Sequence, residues 1–276
     1  MSGNPVVQSL ARVLAVAHNT RREAYRNRAF LTLVILGVLL NAAGFLLSRL
    51  ALPSQHARVI QDFGYFSTAL VAVITAGLSG VLLLYKELDK KTIFTIIPKP
   101  AARHEIVLGK FVGLFVLVAV QVAGLGALWL LVLRWNGALT VNGTPIAWDC
   151  VKALALVILE ASIVIAVALL FSSWTRPFLA GLFTFGYYVI AAEEYLIEQH
   201  LGARHSALAE PGPLRELAKA VTYAVPDLQV FNASQQLALG IHVPSDYVFA
   251  ATGYASGFVA VFLVLAIWLF SRRDFV

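Results

Sequence analysis

Tyr85–Lys110, YKELDKKTIFTIIPKPAARHEIVLGK, is the one long polar segment with a membrane-length apolar run on each side. It holds Lys86, Lys90, Lys91, Lys99, Arg103 and Lys110, six of the 21 Lys and Arg residues in the chain. Glu87–Ile97 can form about three turns of helix, with charge at its start and Ile93, Ile96 and Ile97 on one side at the i, i+3, i+4 spacing. Pro98 and Pro100 stop that helix, because proline lacks an amide proton and disfavours helix at the residue before it. A second helix is expected from about Ala101, running through Gly109 into the next apolar run. A solvated basic loop that sets topology would need only the charges. An apolar stripe outside the membrane asks for more, since it must lie on lipid or fit a partner.

The chain on either side of this segment is apolar. Charged residues make up 13% of the sequence and apolar residues 59%, whereas soluble domains carry about 25% charge. This is the composition of a polytopic membrane protein. The net charge of +6 follows membrane topology and gives no reason to expect nucleic acid. Cys150 is the single cysteine, so an intrachain disulfide and a thiolate metal cluster are both excluded.

About 20 apolar residues cross a hydrocarbon core of roughly 30 Å. Six segments meet that test: 29–50, 63–85, 110–133, 150–171, 178–197 and 247–270. The fifth is the weakest, with Glu193 and Glu194 near its end. The expected fold is all-α, a single transmembrane domain over 1–276. It comprises an amphipathic N-terminal segment within 1–28, a polar loop over 86–110 and a long connection over 198–246.

Residues 5–28 read as an interfacial helix. Val6, Leu10, Val13, Leu14 and Ala17 are expected on one face, with Arg12, Arg21, Arg22, Arg26 and Arg28 supplying charge. A targeting peptide is the competing reading. No short apolar core followed by small residues precedes Phe30, so the first span is expected to be an uncleaved anchor.

Placing the N-terminus in the cytoplasm puts fourteen Lys and Arg residues on that side and seven on the other. The positive-inside rule therefore predicts that both termini are cytoplasmic. Among the external connections, Asn136-Gly137 and Asn142-Gly143 are turn signals within 134–149. The 198–246 connection contains PGP at 211–213, then Leu214, Leu217, Ala218 and Val221 at helical spacing, a stripe expected to rest on the outer leaflet.

Three spans place a polar side chain near mid-depth: Asn41, Gln121 and Glu160. Asn41 and Gln121 fit hydrogen bonds between helices. A mid-membrane carboxylate is costlier and usually faces a cavity, a partner or a transport path, so Glu160 is the stronger candidate. Gly109-x-x-x-Gly113 and Gly253-x-x-x-Gly257 have the spacing for close helix packing. Glu193 and Glu194, followed by Glu198, His200 and His205, resemble the paired glutamates of intramembrane prenyl-protein proteases. That pattern also needs histidines in later spans, and 247–270 has none, so a solvent-facing helix end is preferred. The phosphate-cradling GxxxxGK[ST] pattern is absent: Phe111 follows Gly109-Lys110, and His104 stands where the first glycine belongs.

Glu87, Thr92, Pro100, Arg103, Gly109 and Lys110, in that order, resemble the cytoplasmic loop between spans two and three of type 2 ABC transporter permeases. The sequence departs from that pattern at Lys91, where the family has glycine. The N-terminal segment resembles the family's elbow helix. Val225–Asn232 (VPDLQVFN) resembles its external stretch before span six, and Ser271–Phe275 (SRRDF) its cytoplasmic end. The resemblance implies a six-span subunit of an ATP-driven exporter in the bacterial cytoplasmic membrane, paired with a second copy or a sister permease. Each copy would dock on a cytoplasmic ATPase that binds the ATP and Mg, leaving no cofactor, metal or bond chemistry in this chain. Lipid and an external accessory protein complete the implied partners.

Carried over, Glu87, Leu88, Lys90, Lys91, Thr92, Ile93, Phe94, Ile96 and Ile97 would form the coupling helix in the ATPase cleft. Arg103 would brace the loop against the elbow or the ATPase. Asn41, Gln121 and Glu160 are candidates for the translocation path. Two other readings stand beside this one: an intramembrane enzyme using Glu160 or Glu193 and Glu194, and a membrane assembly scaffold. With no large external domain, a small apolar or lipid-like cargo fits, and drugs, peptides, lipid-linked sugars and ions stand open beside it.

Overall fold

Lipid offers the backbone no hydrogen bonds, so each apolar run must satisfy its own as a helix. A computed structural model of the chain describes residues 5–52, 55–89, 102–141, 143–193 and 225–272. The helices are α1 (Pro5–Tyr25), α2 (Arg28–Ser48), α3 (His56–Asp89), α4 (Arg103–Trp135), α5 (Ala147–Trp174), α6 (Pro177–Ala192), α7 (Ser234–Leu239) and α8 (Ser245–Arg272). A 3₁₀ turn, Leu228–Phe231, precedes α7. Among the described residues, α2, α3, α4, α5 and α8 are long and apolar enough to cross a membrane. The protein is an all-α polytopic membrane protein.

Four boundaries differ from the sequence expectation. α3 begins at His56, ahead of residue 63, and continues to Asp89, so Glu87 and Leu88 belong to its last turn and do not open a separate helix. α6 has 16 residues and ends at Ala192, with Glu193 as its C-cap. It is about 24 Å long, shorter than a hydrocarbon core of about 30 Å. The expected helix over 5–28 breaks at Asn27, whose side-chain oxygen accepts from the Ala29 amide (3.1 Å) and caps α2. Of the two expected turns, Asn136-Gly137 ends α4 and Gly143 lies between the strands of a small hairpin, β1 (Thr140–Val141) against β2 (Thr144–Pro145). Gly137 and Gly143 take φ of 66° and 83° there, a region glycine enters without steric cost.

α5 is the centre. Its residues Glu160–Leu169 are buried without interruption, so every side of the helix faces protein. It packs on α3, α4, α6 and α8, while α2 lies outside against α3 and α1 lies along α4. Close approach replaces bulk at the crossings, as expected where lipid is as apolar as the side chains. The Trp129 indole of α4 packs against α3 at Gly64 and donates from Nε1 to the Ile60 carbonyl (3.3 Å). A Cβ on Gly64, one turn further along α3, would sit 1.8 Å from Trp129 Cδ1. Gly109 and Gly113 likewise admit α1: an added Cβ would meet Val16 Cβ at 2.6 Å and the Ala17 carbonyl at 2.7 Å. Gly253 and Gly257 have open space before them among the described residues, so that pair packs against no other described helix.

The α1 surface corrects a second expectation. Val13 and Ala17 turn to α4 together with Thr20 and Ala24, but Val7, Leu10 and Leu14 are exposed. The Val6 side chain lies outside the described residues. The apolar half of α1 thus divides into a face on protein and a face left for lipid, because 100° per residue separates positions 10 and 14 from 13 and 20.

Overpacking at the α3–α4 crossing gives the first test. Gly64→Ala should destabilise the purified chain by about 1–3 kcal/mol, measured by thermal unfolding in detergent. Adding Trp129→Leu should recover most of the loss. An unchanged melting temperature for the single variant would overturn this assignment.

Candidate functional site

At the end of the bundle where the N-terminus lies, one buried carboxylate joins α1 to the start of α4. Glu105 is 1% exposed and sits three residues after the first residue of the helical turn, Ala102, whose amide donates to its Oε2 (3.1 Å). That is half of a capping box, since alanine cannot return the bond. The remaining acceptor sites face α1. Arg12 donates Nε to Oε2 (2.8 Å) and Nη2 to Oε1 (2.7 Å), and the Ser9 hydroxyl donates to Oε1 (2.7 Å). Ser9 and Arg12 are three apart and share a face, so both reach one carboxylate.

α4 is 33 residues and about 50 Å long, so its first turns stand outside a hydrocarbon core of about 30 Å. Glu105 is in those turns. The Arg12 fork, and after it the Ser9 hydroxyl, hold its carboxyl well below the ordinary value, at about 2. The contact is therefore complete above the ordinary carboxyl range and is lost only as pH falls toward 2. Next to it, Arg103 donates to the Phe270 and Ser271 carbonyls at the end of α8, where a cation meets the negative end of the helix dipole. The start of α4 is thereby fastened on one side to α1 and on the other to α8.

The expected coupling residues fall around this point. Glu87 and Leu88 end α3, with their side chains outside the described residues. Lys90, Lys91, Thr92, Ile93, Phe94, Ile96 and Ile97 lie wholly outside them. Arg103 meets α8, and the bond from α4 to α1 is made by Glu105, which the sequence reading did not single out. Its position one turn after a Pro-containing break was the available signal.

The opposite half of the bundle holds a cavity of about 440 Å³ bounded by α3, α5, α6, the 3₁₀ turn and α7. Glu160 lies at the midpoint of α5, about 20 Å below the start of that helix. It is 8% exposed, and its Oε1 accepts from the Tyr188 hydroxyl of α6 (3.2 Å). Arg58 and Asp62, 3.7 Å apart and half-exposed, stand at the mouth.

The roof is the Val225–Asn232 stretch and the residues after it, and side chains from three helices hold it. Tyr65 of α3 donates to the Phe231 carbonyl (3.1 Å) and accepts from the Ala233 amide (3.2 Å). Tyr254 and Tyr247 of α8 bind the Asp227 amide and the Val230 carbonyl. Gln229 donates to the Ala192 carbonyl at the end of α6 (2.8 Å). A buried carboxylate, Asp149, accepts from the Val243 amide (3.1 Å) and pairs with His242 (2.7 Å), which secures the return to α8.

The other polar candidates stand elsewhere. Asn41 donates to the Ser67 hydroxyl of α3 (2.7 Å) and to the Gly37 carbonyl (3.0 Å), an interhelical amide as expected. Gln121 is buried, and neither its oxygen nor its nitrogen has a hydrogen-bond partner among the described residues. Neither lines the cavity, and nor does Glu193, which is exposed. Glu194, Glu198, His200, His205 and the Leu214–Val221 stripe lie outside the described residues. Tyr188 was missed by the sequence reading because nothing in 178–197 sets its rotation.

Charge reversal at the α1–α4 contact gives the second test. Arg12→Glu and Glu105→Arg should each free α1, giving faster tryptic cleavage at Arg21 and Arg22 in the purified chain. The double variant should restore protection. Cleavage as slow in both single variants as in the parent would show that the contact does not hold α1.

The family model described as ABC-2 family transporter protein matches residues 14–275. No curated protein matches the chain. The match runs from α1 to the chain's end, through both the clamped start of α4 and the cavity, so the chain belongs to the ABC-2 transporter family and is the membrane-spanning permease part of an ABC transporter.

Proposed function

We propose that this chain is the membrane subunit of an ATP-driven exporter, moved by a separate ATPase that docks on the 86–110 loop between α3 and α4. One observation carries the reading: that segment joins two helices that cannot yield locally. α3 is unbroken from His56 to Asp89, so it connects Arg58 and Asp62 at the cavity mouth to Glu87 near the other end, over about 40 Å. α4 starts where Glu105 and Arg103 fasten it to α1 and α8. Force applied between them has to move whole helices, and α3 lines the cavity through Tyr65, Phe66, Ala69 and Leu70.

In this reading α1 is the elbow helix, with its exposed Leu10 and Leu14 in lipid. Glu87–Ile97 is the coupling segment, Lys90 and Lys91 pair with acidic residues of the ATPase, and α6 completes six spans. The ATPase binds ATP and Mg, and this chain performs no bond chemistry. The excess of Lys and Arg beside α1 and the 86–110 loop supports cytoplasmic termini in a bacterial cytoplasmic membrane. Pairing with a second copy or a sister permease is supported by α2 and α8, whose outer faces are largely uncovered by the described residues, with nothing described before Gly253 and Gly257.

The test is purification of the tagged chain in mild detergent from its native host. An ATPase subunit should come with it. Glu87→Lys and Arg103→Glu should each lower the ATPase activity of the purified complex by at least about ten-fold, the size expected for reversing a charge in a docked interface. The melting temperature of the Glu87→Lys chain should be unchanged. A chain that comes out without any ATPase, or activity unaffected by Glu87→Lys, would overturn the reading.

A further inference from the structure

We infer that the cavity between α3, α5 and α6 binds a lipophilic organic cation, with the Glu160 carboxylate as its counter-charge. A volume of about 440 Å³ is within the range of pockets that enclose small molecules. Besides its tyrosines, three ionisable side chains line it: Arg58, Asp62 and Glu160. Arg58 and Asp62 answer each other at the mouth, which leaves Glu160 as the acidic group with no cation beside it among the described residues.

Glu160 itself is incompletely satisfied. Tyr188 donates to Oε1, and Oε2 has no partner among the described residues. An ionised carboxylate in an apolar interior is costly unless it is paired, so the site favours an occupant that brings positive charge. An anion would be repelled there, and a neutral lipid would leave the carboxylate as it was. A hard metal ion takes about six or more oxygens, far beyond what Glu160 and the Tyr188 hydroxyl supply.

The walls fit the rest of such a molecule. The rings of Tyr65, Phe66 and Tyr188 border the cavity, and aromatic faces attract cations within about 6 Å. Leu70 and Leu228 add apolar surface. Identifying this ligand as the exported cargo rests on the permease reading, while its binding does not.

The experiment uses the full chain in lipid nanodiscs and two probes of the same shape and opposite charge, tetraphenylphosphonium and tetraphenylborate, with empty nanodiscs as the background. Tetraphenylphosphonium should bind saturably and tetraphenylborate should not. Glu160→Gln keeps the acceptor for Tyr188 and the side-chain volume but removes the charge. It should weaken tetraphenylphosphonium binding by about 30-fold or more, as for loss of one member of a buried charge pair. Tyr188→Phe, which leaves the carboxylate in place, should retain binding of the cation over the anion. Equal binding of the two ions, or the same tetraphenylphosphonium affinity in Glu160→Gln, would overturn the assignment. Glu160-dependent binding in a chain that brings down no ATPase would uphold the cation site and count only against the exporter. An ATPase-bound chain that fails to discriminate the ions would do the reverse.

Discussion

Nothing in a bilayer's interior can hydrogen-bond to the peptide backbone, and the architecture follows from that constraint. Every apolar run becomes a helix, and irregular backbone is confined to where protein covers it. The Val225–Asn232 stretch, outside the long apolar helices, leaves the helical pattern and is held by side chains instead. It carries a 3₁₀ turn among the helices, and Tyr65, Tyr247, Tyr254 and Gln229 supply hydrogen bonds to its backbone or tie it to α6. The same solvent removes the usual drive for helix association, since burying leucine against protein gains little over leaving it in lipid. Contacts therefore concentrate where backbones come close, at Gly64 under Trp129 and at Gly109 and Gly113 under α1.

Against that background the buried carboxylates stand out, and they do different work. Glu105 is saturated by four hydrogen bonds and makes α1 part of the body of the protein. Asp149 is met by the Val243 amide, His242 and Lys152, and holds the opposite end closed. Among the described residues Glu160 has Tyr188 alone, and it borders a cavity. A fully bonded buried charge is structural; a half-bonded one beside space is available to a ligand.

Rigidity and space are arranged along one helix. α3 passes from the cavity mouth through the Trp129 crossing to the polar loop, with no proline or break over its 34 residues. Its neighbour α4 is fastened at the start on two sides. A displacement imposed on the connection between them has no local hinge among the described residues in which to be absorbed. It must alter how α3 meets α5 and α6, which is where Glu160 and Tyr188 face each other.

The sequence alone determined the apolar composition, the helical class, five of the six expected spans, the turns at Gly137 and Gly143, and the place of Glu160 midway along its helix. Each of these is written in local composition or in spacing along one helix. It also carried the order of residues from Glu87 to Lys110 that points to the family. Only the tertiary structure decided which faces meet. Arg12 and Glu105 are 93 residues apart, and no periodicity relates them. Leu10 and Val13 look alike as apolar positions, yet one faces outward and the other faces α4, because lipid and protein interior select the same side chains. Glu160 and Tyr188 lie on separate helices whose rotations are set by close packing. Hydropathy records depth in the membrane, whereas partners depend on rotation and register, which lipid leaves unmarked in the sequence.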